Sequence, residues 1–149
     1  MSYQKIFVAA FCATLAMTGF MLIAPVVGLP RMDMGSILGE MFNGNKLVGW
    51  ILHFVLGIIF AIPYVLMFNH WIPVEHKIAR GAIYGILVFV LSEIIITAVN
   101  ISGHLKWDEK ESIALMVFGN SIACMIYGAV LGAFFERKGY DVMEEAKRA

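Results

Sequence analysis

Apolar residues gather into four long runs, near residues 6–27, 46–68, 80–101 and 112–135, and polar residues collect in the connections and at the two ends. A helix needs about 20 consecutive apolar residues to cross the hydrocarbon of a bilayer, and each run meets that length. The pattern predicts an all-α fold, a four-helix transmembrane bundle forming one integral-membrane domain over 1–149, with 136–149 as a polar tail. The first run follows directly on MSYQK. Its apolar part is too long for a secretory signal and no clean small-residue cleavage site follows, so it reads as a true span.

The connections differ in character. GLPRMDMGSILGEMFNGNK (28–46) is too polar to span and too apolar for a free loop. Asp33 can cap a short interfacial helix with Met34, Ile37, Leu38 and Met41 on one face, ended by NGN at 43–45. The segments at 69–77 and 102–112 read as short polar turns. Within the spans, Gly57 and Ala61, Gly81 and Gly85, and Gly128 and Gly132 lie four apart, the spacing that lets membrane helices approach closely. Pro25 and Pro63 are expected to disturb the helices that hold them.

Composition agrees with the pattern. Hydrophobic residues make up 60% of the chain and charged ones 15%, where soluble domains carry about a quarter, and the mean hydropathy is +0.81. The lipid bilayer is therefore the expected surroundings, and a net charge of zero gives no reason to expect nucleic acid. Cys12 and Cys124 stand in separate apolar runs and form no CxxC pair, which argues for buried thiols rather than exchange chemistry. Seven Lys and Arg residues fall on the side holding both termini and four on the other, so the positive-inside rule places both termini in the cytoplasm. No GxSxG, HExxH, phosphate-binding glycine loop or dinucleotide fingerprint is present, so an enzyme is not the expectation.

One position resists a purely apolar reading: Glu93, inside LVFVLSEIIITAVN. Antiparallel spans allow depth to be counted from a shared end, and Thr18, His53, Glu93 and Asn120 each lie seven to nine residues from that end of their own run. The predicted arrangement is a polar layer of these four with His53 as the partner of Glu93, and with Asn100 and His104 above it on the stripe Glu93, Thr97, Asn100, His104. Stripes of this kind turn inward, because a charged group facing lipid costs several kcal/mol, on the order of 3. The layer can fix helix register, or it can bind a proton, a cation or a small polar ligand. A metal or haem is the weaker reading. Only two strong ligands fall at that depth, no Glu-x-x-His pair is present, and a bis-histidine haem would need a second imidazole near His53. The alternative to a ligand-binding protein is an accessory subunit in a homo-oligomer or a larger membrane complex.

The stretch TLAMTGFMLIAPVVGLPRMDMGSILGEMF, with GWILHFVLGIIFAIPYVLMF after it, resembles a family of small four-span bacterial membrane proteins of unassigned function. The resemblance rests on MT at 17–18, P…GLP at 25–30, MD at 32–33 and GW..HF at 49–54. It implies a four-span fold and a bacterial inner-membrane location, and it implies no activity.

Overall fold

The computed structural model describes residues 3–71, 73–101 and 112–135, and the tail and the 102–111 connection lie outside them. The described residues are helical and contain no strand. Helix α1 (Tyr3–Ile23) runs on as a 3-10 turn over Ala24–Val27, where Pro25 stands at its start and Gly28 closes it at φ 85°. The connection then forms α2 (Met34–Gly39) and a 3-10 turn, Glu40–Phe42. Helix α3 (Lys46–Pro63) passes into a π-helix over Tyr64–Phe68 and the short α4 (Asn69–Trp71). Helices α5 (Lys77–Ile101) and α6 (Ile113–Phe134) complete the bundle. Four segments are long and apolar enough to cross a membrane: Tyr3–Val27, Lys46–Phe68, Lys77–Thr97 and Ile113–Phe134. This is a small membrane protein. Large apolar side chains such as Phe7, Leu15, Ile59, Ile94 and Phe118 are exposed on the outside of the bundle, the face a lipid-embedded helix bundle presents.

The helices alternate in direction, and small residues decide which pairs touch. A Cβ on Gly81 would stand 2.0 Å from the Gly128 carbonyl oxygen, and one on Gly132 would stand 2.3 Å from that of Lys77. Backbone meets backbone here, which only glycine permits, so α5 and α6 form the tightest pair in the molecule. Ala9, Ala10 and Ala13 of α1 are fully buried, and Thr14 fills the notch above Gly57 of α3. Thr14 and Thr18 return their hydroxyl protons to the Ala10 and Thr14 carbonyls at 2.9 and 2.8 Å. Between α3 and α5 the backbones do not close in the same way. Side chains bridge them, with Tyr84 donating to the Phe60 carbonyl and packing tilted against Tyr64 at 5.0 Å between centroids. Tyr127 of α6 donates to the Gly57 carbonyl.

The 28–46 connection folds as its sequence dictates, with one difference. The Asp33 carboxylate accepts from the Ser36 amide at 3.2 Å and so caps α2. Asn43 and Gly44 end the segment at positive φ, 55° and 77°. Gly35 and Gly39 pack on Gly49, and the Trp50 indole lies on Gly35, so α2 is held against the start of α3. Met34 and Leu38 are buried and Ile37 is half-buried, but Met41 is 45% exposed. The α-helix stops at Gly39 and continues as a 3-10 turn, which advances about 120° per residue instead of 100° and turns Met41 away from the predicted face.

The opposite end of the bundle holds a residue whose burial the sequence did not announce. Arg80, one of the seven basic residues counted on the side of the termini, is 1% exposed. It donates to the Val74 carbonyl at 3.1 Å and to the Phe135 carbonyl at 3.4 Å, tying the start of α5 to the end of α6.

Candidate functional site: an intramembrane cavity at the α2 end

Thr18 of α1 and His53 of α3 meet at 3.2 Å, from the threonine Oγ1 to the imidazole Nε2. The hydroxyl has one proton, and that proton goes to the Thr14 carbonyl. The contact with His53 is therefore one in which Nε2–H donates, an assignment made from the hydrogen-bond network. A neutral imidazole protonated on Nε2 keeps its lone pair on Nδ1. Among the described hydrogen bonds none is made to Nδ1, and the ring is 6% exposed. Trp50 and Phe54 hold the ring edge-on, with centroids at 5.7 and 5.8 Å.

A second polar group lies on the α5–α6 side. The Asn120 amide donates to the Glu93 Oε1 at 2.7 Å and to the Ser92 hydroxyl at 3.3 Å. Ser92 passes its own proton to the Phe89 carbonyl at 2.8 Å. The Cys124 thiol reaches the Asn120 Oδ1 at 3.8 Å. Asn120 thus fixes the Glu93 carboxyl through a short bond and is itself held by its neighbours.

Between the two groups is a cavity of about 60 Å3, lined by His53 from α3, Ser92 from α5 and Asn120 and Cys124 from α6, with apolar side chains closing the rest. This is room for a few waters or one small ion. A larger cavity of about 420 Å3 adjoins it at the α2 end, lined by Arg31, Asp33, Lys46 and Trp50 among others, with Met21 common to both. In it Asp33 and Lys46 form an ion pair. Partial burial pushes the Asp33 carboxyl up, but bonds from Lys46 and Ser36 and the nearby ammonium charge outweigh this and hold it below the ordinary 3.8.

Thr18, His53, Glu93 and Asn120 do share one level of the bundle, in two pairs. His53 is bonded to Thr18, and Glu93 to Asn120; among the described residues no bond joins His53 to Glu93. The reason lies in helix neighbours. α5 packs on α6, so a side chain one residue past Ser92 points along that contact rather than across the cavity to α3. The stripe expected on α5 is likewise displaced, since Glu93 is half-buried and Thr97 exposed, while Tyr84 and Val88 occupy the buried face. Asn100 lies within α5, but its side chain, and all of His104, fall outside the described residues. Among those residues no group of three His, Cys, Asp or Glu side chains converges as a metal site would require.

The chain belongs to the family of unknown function DUF6789, whose profile matches residues 2–143. The match therefore extends through Glu93 and Asn120, well past the first two spans. No curated protein and no solved structure matches the chain.

Proposed function

We propose that this member of the family binds a cation or a small polar ligand in the intramembrane cavity, with His53 and the Asn120–Glu93 pair as its recognition groups and Thr18 as the residue that orients the imidazole. One observation carries the reading. An imidazole from α3, a hydroxyl from α5 (Ser92) and an amide from α6 line one small cavity, the imidazole with its Nδ1 lone pair unbonded and the amide holding the Glu93 carboxyl beside it. Register bonds across the helices account for Thr18–His53 and Asn120–Glu93, but they leave the Nδ1 of His53 without a partner among the described hydrogen bonds. The positive-inside count supports cytoplasmic termini, with the larger cavity opening on the far side of a bacterial inner membrane.

Trp50 provides the test, because its indole touches the His53 ring. In a variant keeping Trp50 alone (Trp71→Phe, Trp107→Phe), emission is followed while protons, alkali ions, alkaline-earth ions and soft monovalent ions are titrated in turn. At least one class is expected to give a saturable change that disappears in His53→Ala. No response to any class, at unchanged thermal stability, would contradict the proposal.

A further inference from the structure

Sulfur lines the same cavity. Met17 and Met21, one turn apart on α1, Met34 of α2 and Cys124 of α6 surround it with His53. Met21 also lines the larger cavity, where Met32 joins it. The distribution is selective. Met17, Met21, Met32 and Met34 are the buried methionines among the described residues, and each lines one of these two cavities. The buried core at the opposite end is built of alanine, glycine and tyrosine with Val65, Leu131 and Phe135, while Met41, Met67 and Met125 are 45%, 43% and 40% exposed. A flexible thioether fills gaps, so methionine gathers where the helices part, and here it puts three thioethers around one imidazole.

Resting on the cation reading above, we propose that the cavity is a site for a soft monovalent cation, of the Cu(I) class, with Met17, Met21, Met34 and the Nδ1 of His53 as its donors, the Cys124 thiol staying protonated on Asn120. Thioether sulfur selects such ions, whereas calcium and magnesium demand several oxygens. The oxygens lining this cavity, on Ser92 and Asn120, are already engaged with protein partners. Thioethers carry no proton, so the ion displaces none from them. A monovalent charge in so apolar a place needs a counter-charge, and the Glu93 carboxylate held by Asn120 provides one without being a ligand. The larger cavity supplies an entry route in which Met32 and Met21 precede the inner donors. Arg31 opposes entry there, but it is exposed and its field is screened.

The experiment uses the full chain in detergent, with Ag(I) in chloride-free buffer as a redox-inert probe and Cu(I) by competition with a chromogenic chelator. One ion per chain is expected. The variant Met17→Leu/Met21→Leu/Met34→Leu conserves volume and should keep the fold, yet lose more affinity than the about 10–100-fold typical of removing an outer-shell partner. Each single leucine variant should lose part of that affinity, which covers the case in which the triple variant does not fold. Met67→Leu, Met125→Leu and Cys12→Ser should bind as the natural chain does. No Ag(I) binding by the natural chain, or full-affinity binding by a folded triple variant, overturns the proposal. A Trp50 response to protons or hard cations without Ag(I) binding overturns it while leaving the cavity reading intact. Silence toward every ion overturns both.

Discussion

The two ends of this bundle use the same helices for opposite purposes. At the end holding the N-terminus, α5 and α6 meet through Gly81, Gly85, Gly128 and Gly132 with no space for a methyl group. Arg80 there caps the carbonyls of Val74 and Phe135. At the α2 end the helices separate around a cavity with polar groups and sulfur on its wall. Between the spanning helices tight packing is therefore local, and at the α2 end it is only the short α2 that packs backbone to backbone on α3, through Gly35, Gly39 and Gly49. Close backbone contact at one end fixes the helix angles, and that lets the other end stay open without collapse. A bilayer gives no hydrophobic drive for helices to associate, so the glycine contacts and interhelical hydrogen bonds carry that task.

The comparison breaks most readily at the closed end. Gly81→Val should leave little folded protein, and Gly81→Ala should cost about 1–3 kcal/mol, because the obstacle is the α6 backbone rather than a side chain that can move. Gly19→Ala is the control. Nothing lies within 4 Å of a Cβ there, so detergent melting should be unchanged or raised by up to about 1 kcal/mol. Arg80→Met comes next. It keeps the apolar stem but leaves two carbonyls without their donor, and melting should show a loss of about 1–3 kcal/mol with no change in ion binding.

The open end should respond in the reverse sense. Asn120→Leu removes the bonds to Glu93 and Ser92, which in membranes are worth on the order of 1 kcal/mol each. Its melting loss should therefore be about 2 kcal/mol at most, no larger than that of Gly81→Ala, while the Trp50 response to ions is lost. The smallest effect concerns Asp33. Its carboxyl titrates lower in the folded chain than its ordinary 3.8, so the stabilisation it gives is complete above that value and is lost as pH falls through the lower, folded one. Hydrogen exchange of α2 should accelerate only below about pH 4, and Asp33→Asn should abolish that acid response. A faster exchange appearing near neutrality would place the control elsewhere.

Sequence made the spans, the capped connection helix and the glycine contacts legible, since each depends on length, a single capping oxygen or a four-residue spacing. It also placed Thr18, His53, Glu93 and Asn120 at one depth. Azimuth was less legible. Helices apolar on every side carry a weak periodic signal, so depth identified the layer while leaving the pairing open, and Glu93 was matched to His53 instead of Asn120. Arg80 was hidden for a related reason. A basic residue at a span end normally marks the membrane surface, and only the fold brings the Phe135 carbonyl to it. The sulfur lining was invisible because a methionine in an apolar run looks like any other apolar residue until its cavity is known.

The state of His53 tests the account most directly. With histidine labelled in nitrogen-15 and the His53 signals assigned by their loss in His53→Gln, the NMR spectrum of the neutral protein in lipid nanodiscs should show a protonated Nε2 and a lone pair on Nδ1. Addition of one equivalent of Ag(I) should shift Nδ1 strongly and leave Nε2 bonded to Thr18. A proton on Nδ1 before addition, or an imidazole spectrum unchanged by the ion, would contradict the claim that this cavity is a soft-cation site with His53 as a donor.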